Sequence, residues 1–414
     1  MPVDWGQGEQ PRRSDRSLNR ARHRRRRLAA LVIFACLVAA AVGVGLLVGR
    51  GDKSEAVVSR HESTSGVVSS SATLPRSTDA APPLTSSTER PVSSTSLAEG
   101  NGVGPGTNLP STTGTVTPAE ARAVGANELG RIPVLMYHLI GVGKNYLTPD
   151  QLRFHIALLR SHGFYPTTVR EMVEGTMDIP AGKSPVVLTF DDSSPGQFRI
   201  LADGTVDPDC AVGILRAEAE RGAWAVKATF FPLLEVNPAN VLFGQPELAV
   251  RKLQDLVEWG CEIGSHGLSH RDFSKATAAQ VRRELAESKA KLESLIGNGY
   301  QLFTVSPPYG EYPSDVSLLL SGEYEGQSYQ YRAVVMAWGE NCPSPFSDKF
   351  DPVHIPRITS AAPESVRKLM KYWNTHRELL YVSDGDPGTV SFPRDAPPEL
   401  GKLRPGVDQR VVEY

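Results

Sequence analysis

The rhythm of hydrophobic and polar positions changes three times along the chain. Leu28 to Gly49 is an unbroken apolar run of 22 residues, mostly Leu, Ala, Val and Gly with one Ile, one Phe and one Cys. A helix of that length reaches about 33 Å, enough to cross a hydrocarbon core of about 30 Å. From Arg50 to Gly125 there is no periodicity: Ser, Thr, Pro and Gly dominate and aromatic residues are absent. Such a segment cannot bury enough surface to offset the entropy of ordering, so residues 50–125 are expected to form a disordered linker.

At Arg131 the pattern changes again. Short continuous apolar runs, the signature of strands buried on both faces, alternate with amphipathic stretches. The strand-like runs are Ile132–His138, Val186–Phe190, Lys227–Phe231, Cys261–Gly264, Leu302–Val305, Ala333–Met336 and Leu379–Val382. Helices are predicted from Thr148 to Gly163, Pro246 to Gly260 and Thr277 to Gly297, each closed by a glycine. At least six such units in about 260 residues favour a βα-barrel over an open doubly wound sheet. Residues 126–414 are therefore expected to form one domain.

Charge sharpens the reading of the N-terminus. Nine arginines lie within residues 1–27, leaving 35 basic and 43 acidic residues beyond them. The positive-inside rule makes 1–27 a cytoplasmic tail and 28–49 a transmembrane helix, with all that follows extracytoplasmic. The acidic body does not suit nucleic acid, which calls for a basic face. Of the four cysteines, Cys36 lies in the apolar run. If one bridge exists among the other three, Cys210 to Cys342 is the expected pair, with Cys261 in the core.

Three stretches at predicted strand ends carry candidate chemistry. Thr189-Phe-Asp-Asp192 sets two acids side by side. His266-Gly-Leu-Ser-His270 offers two imidazoles four apart, able to meet one ion if the segment takes a helical turn. Ser306-Pro-Pro-Tyr-Gly310 is a stiff turn suited to presenting a backbone N–H. In a parallel barrel, the C-terminal ends of the strands are where active sites assemble.

These stretches resemble the polysaccharide deacetylase family (carbohydrate esterase family 4), a distorted (β/α)7 barrel. The resemblance runs from about Arg131 to Phe392, through TFDD, Ala228-Thr-Phe-Phe231, Glu262-Ile-Gly-Ser-His266 to His270, and Pro308-Tyr-Gly310. It implies that Asp192, His266 and His270 bind a metal and that Asp191 is the general base. Two histidines and a carboxylate suit Zn²⁺ or another divalent transition metal with a position left open. The backbone N–H of Tyr309 would face the oxyanion, and Trp338 matches a groove aromatic.

Three departures stand out. Gly267 replaces a usual Ser or Thr, Ser306 stands where many members carry an arginine orienting the base, and Leu379–Asp384 lacks the usual terminal histidine. Val134-Leu-Met-Tyr-His138 offers a histidine from the first strand, which neighbours the last in a closed barrel. A similar LMYH opening, with an arginine-free PYG motif, marks deacetylases of the poly-N-acetylglucosamine biofilm type. His138 is therefore assigned as the acid, with His354 as fallback. The implied activity is metal-dependent removal of acetyl groups from N-acetylated sugars of an extracellular or cell-wall polysaccharide. An O-acetyl esterase of the xylan type and a noncatalytic glycan-binding protein are the alternatives.

Overall fold

The computed structural model describes residues 116–414, apart from residue 223 and residues 237–240. The basic tail, the apolar run 28–49 and the linker as far as residue 115 lie outside the described residues. Among the described residues no helix is long and apolar enough to cross a membrane.

Parallel pairing dominates. The strands are β1 (Val134–Tyr137), β2 (Phe164–Thr167), β3 (Ser184–Asp191), β4 (Thr229–Phe231), β5 (Glu262–Ile263) and β6 (Thr304–Val305). An antiparallel hairpin, β7 (Ser321–Tyr324) with β8 (Gln327–Gln330), precedes β9 (Ala333–Val334) and β10 (Ile358–Thr359). The central sheet runs β10-β1-β3-β4-β5, with β2 added beside the first half of β3. Single parallel bridges then carry the pairing round, from Ser265 to Val305 and from Val335 to Ile355, with β6 paired to β9 between them. Since β10 pairs with β1, seven parallel strands form a ring. Several close through one or two residue pairs only, so the barrel is a distorted one.

Two apolar clusters flank this ring. One includes Leu188, Phe190 and Phe230 with Leu152, Leu253 and Leu285 from the helices outside. The other includes Val134, Val187, Phe231, Val335 and Ile355. The period of two along β3 explains the split: Phe190 stacks outside between Tyr137 and Phe230, which leaves Thr189 and Asp191 on the opposite face.

Three readings of the sequence change here. The folded body begins before 126, because Pro118–Val124 is a helix whose capping box pairs Thr117 with Glu120. Its Ser/Thr/Pro surroundings masked that local signal. Leu379–Val382 is not a barrel strand; Leu380 bridges Arg131 and Val382 bridges Asn127, ahead of β1. The strand beside β1 is β10 instead. Cys210 and Cys342 are both buried and free, and belong to different clusters, so they form no bridge. The residues from Ser193 to Val226 include a helix, Ala211–Glu220, with Cys210 as its N-cap. Beyond the barrel, β11 (Thr389–Phe392) pairs in parallel with β12 (Arg410–Glu413).

Candidate metal and acid–base site

Asp191 closes β3, and Asp192 turns out of it in the left-handed region (φ 70°). Among the described residues, Asp192, Ser193, His270 and Tyr309 are non-glycine residues with positive φ. Each such residue costs of order 1–3 kcal/mol, and strain of this kind concentrates where side chains must be aimed.

The turn at Asp192 brings its Oδ1 to 3.2 Å from His266 Nε2 and 3.3 Å from His270 Nε2. The two histidines do not meet through a helical turn. The loop bends at Gly267 (φ +71°), and Glu284 holds it by accepting from the backbone N–H groups of Leu268 and Ser269, each at 2.8 Å, and from Ser269 Oγ at 2.5 Å. Glu284 lies on the helix Ala278–Ile296 and is buried. A Cβ at position 267 would stand 3.1 Å from its carboxylate, which accounts for the glycine there.

The donor set fits a divalent cation. Asp192 Oδ1 is buried yet makes no aligned hydrogen bond. A tetrahedral ion with bonds of about 2.0–2.2 Å has ligand–ligand edges of about 3.3–3.6 Å, close to the two distances above. His266 Nδ1 lies 2.6 Å from the Ser306 carbonyl, so that nitrogen carries the proton and Nε2 is left to ligate. Burial would raise the Asp192 carboxyl, but the two imidazoles outweigh it and hold it well below the carboxylate range.

Asp191, only 2% exposed, meets a different partner. Arg357, at the start of the closing strand, donates Nη1 to its Oδ1 at 2.7 Å and Nη2 to its Oδ2 at 2.8 Å. Ser306 Oγ adds a third donor at 3.1 Å. Burial again pushes the carboxyl upward, and the Arg357 charge and hydrogen bonds overcome it, keeping Asp191 below its ordinary value. Sequence reasoning missed Arg357. Its signal was a lone arginine between Pro356 and Ile358, in a stretch without strand periodicity.

His138 follows β1, whose Tyr137 pairs in register with Phe190. It therefore lies level with Asp191, and alternation from the outward Tyr137 puts it on the same face as the acid. It stands close enough to both aspartates for a charge on its ring to favour their ionised forms. Gln197 Nε2 ties the two strand ends together, donating to the carbonyls of His138 at 2.6 Å and Asp191 at 2.5 Å. His354 is elsewhere: it is half-exposed, stacked on Tyr312, with Nδ1 2.8 Å from Asp351. On the rim, the Tyr309 ring meets His270 edge-on at 4.4 Å, and Trp338 lies over Gly310. Both rings are more than half exposed.

Residues 178–323 match the family model for polysaccharide deacetylase. The stretch holds Asp191, Asp192, His266, His270 and Tyr309, but not His138, Trp338 or Arg357. A curated relative from Bacillus subtilis, YxkH, named as a polysaccharide deacetylase, is 23% identical over 184 residues, 44% of this chain. The chain spans 58% of that relative's length. Among solved structures, the Streptococcus pyogenes deacetylase PplD is 20% identical and covers 58% of this chain and 97% of its own, with a TM-score of 0.42. IcaB from Ammonifex degensii is 17% identical over 59% of this chain and 97% of its own, at a TM-score of 0.41. The family-model match and the curated relative thus make part of this barrel similar to polysaccharide deacetylases.

Proposed function

We propose that the chain is a metal-dependent hydrolase that removes acetyl groups from N-acetylated sugars of an extracellular or cell-wall polysaccharide. One observation carries the reading: two adjacent aspartates have opposite partners, Asp192 facing two imidazoles and Asp191 an arginine. Asp192, His266 and His270 would hold the ion. A bound Zn²⁺ or similar cation supplies Lewis acidity toward the acetyl carbonyl and lowers the pKa of water.

The chain's own residues do the rest. Asp191, ionised beside Arg357, accepts the proton from the attacking water. The backbone N–H of Tyr309 faces the oxygen that gains charge. His138 donates a proton to the departing amine. An amide needs that proton far more than an ester does, so His138 on the inner face favours N-acetyl over O-acetyl substrates. The exposed Tyr309 and Trp338 rings suit the faces of sugar rings. The LMYH opening supports a glycan of the poly-N-acetylglucosamine type, and Leu28–Gly49 supports a membrane tether with the barrel outside the cell.

Acetate release from oligomers of β-1,6-linked N-acetylglucosamine and from acetylated xylan tests this reading, with the full chain assayed after chelation and again after added Zn²⁺. Zn²⁺-restored release from the amide substrate is expected. Release from xylan alone, or from neither substrate, overturns it.

A further inference from the structure

His138 and Asp191 are held in different ways. The Asp191 carboxylate is gripped directly, by Arg357 and by Ser306 Oγ. Among the described residues, the side chains that bond His138 reach its carbonyl rather than its ring: Ser194 Oγ at 3.2 Å and Gln197 Nε2 at 2.6 Å. The place of the imidazole is therefore set through the backbone.

The ladder between β1 and β3 stops one pair short of these two residues, at Tyr137 and Phe190. Beyond it the Gln197 side chain takes over. The same Nε2 that bonds the His138 carbonyl also donates to the Asp191 carbonyl, at 2.5 Å. Both amide hydrogens are thereby engaged, one on each strand end. A flipped amide would set its oxygen against two carbonyl oxygens, so the nitrogen must face them. That orientation leaves Gln197 Oε1 buried without a donor among the described residues. An unmet buried acceptor destabilises a fold, which argues against a mere packing role for this amide.

Gln197 is itself braced. It is fully buried, and its backbone N–H closes a turn onto the Ser194 carbonyl at 2.9 Å. The first amides of the helix Ala211–Glu220 bond that turn, Ala211 to the Gly196 carbonyl at 2.9 Å and Val212 to the Gln197 carbonyl at 3.0 Å. The turn also presses on the chain just past His138. A Cβ on Gly196 would stand 1.9 Å from the Ile140 carbonyl oxygen, so only glycine fits there.

We propose that Gln197 is a positioning residue that fixes the spacing between His138 and Asp191, with the helix Ala211–Glu220 as its brace. The consequence for turnover rests on the function proposed above; the spacing itself does not. Without the amide, Asp191 stays on Arg357 while the His138 end of β1 is released, so the step that needs the acid suffers first.

The test uses the purified full chain loaded with Zn²⁺. Gln197→Met keeps the side chain's length and removes both donors. Its kcat for acetate release from the β-1,6-linked N-acetylglucosamine oligomer should fall about 10²-fold, with KM within about twofold, since a misplacement of about 1 Å suffices for such a loss. Hydrolysis of 4-nitrophenyl acetate, whose leaving group needs no proton, should stay within about threefold, and the Zn²⁺ content should be unchanged. In a chain that already carries His138→Asn, adding Gln197→Met should slow oligomer cleavage by less than about twofold, because no acid is left to position. A crystal structure of the Gln197→Met chain should show His138 shifted from Asp191 by about 1 Å or more, with Asp191 still on Arg357. Gln197→Asn, which keeps an amide but is one methylene short, serves the same comparisons where the Met variant fails to fold. Equal losses on oligomer and ester, or losses that multiply in the double variant, would mean that Gln197 only supports the fold and would overturn the proposal. An unmoved His138 would overturn it too. If the unsubstituted chain released no acetate, the proposed function would fall, and the variant structure would still decide whether Gln197 sets the spacing.

Discussion

Asp191 and Glu128 are equally buried, each 2% exposed, and the molecule treats them in opposite ways. Asp191 lies at the C-terminal end of the barrel against a fully engaged arginine and stays ionised. Glu128 precedes β1 at the other end, where no Lys, Arg or His among the described residues pairs with it. Its Oε1 accepts from Tyr381 Oη at 3.1 Å, and from Ser383 Oγ and the Asp384 N–H at 3.3 Å; its Oε2 accepts from the Ser391 N–H at 2.8 Å. Burial and the nearby Asp384 push the Glu128 carboxyl well above its ordinary value. The difference teaches what a buried carboxyl is for. With a cation and an open lone pair it can take part in proton transfer; with only uncharged donors it fastens the segment before β1 to the chain at Tyr381–Ser391.

The contrast can be broken at either end. The largest effect is expected from the three residues proposed to hold the ion: Asp192→Ala, His266→Ala or His270→Ala should abolish stoichiometric Zn²⁺ binding and reduce acetate release to background, with folding retained by circular dichroism. Unchanged Zn²⁺ stoichiometry in any of them would remove that residue from the site. Next, His138→Asn should slow amide cleavage about 10²–10⁴-fold without releasing metal, and slow acetyl esters with good leaving groups far less. Equal losses on both substrates would take the acid's role from His138. His354→Ala, whose ring is spent on Asp351 and Tyr312, should stay within about twofold on either.

The smallest effect on turnover is expected at Glu128, where the readout is stability. A folded pKa above the unfolded value of about 4.3 means that the folded state holds the proton longer. The Glu128 contribution is therefore full below about pH 4.3 and is lost as pH rises through the raised folded value. Asp191 has the opposite sign: its contribution is present above about pH 3.9 and is lost as pH falls through its lowered value. Glu128→Gln should leave acetate release unchanged and flatten the decline in melting temperature on the alkaline side. A steeper decline would show that Glu128 folds ionised.

Much of the site was legible in the sequence because its chemistry is local. Asp191, Asp192, His266 and His270 sit in short strings at the ends of apolar runs, and the barrel's ring follows from the same runs. The rest depends on pairing across the chain. Arg357 meets an acid 166 residues away, from a strand with only two ladder residues, and nothing local marks it as a partner. Leu379–Val382 is apolar enough for a strand, yet its neighbours are Asn127 and Arg131; apolarity specifies burial, not the partner. Nothing local marks Glu284 as the residue that holds the histidine loop, although it falls on the same helix face as Val281 and Leu285, which are buried with it.

The most direct test of the account is Asp191→Asn, with Zn²⁺ content and acetate release measured on the same preparation. One Zn²⁺ per chain is expected, as in the unsubstituted protein, together with a loss of about 10²–10⁴-fold in acetate release from the N-acetylglucosamine oligomer. Loss of the metal, or metal retained with turnover unchanged, would contradict it.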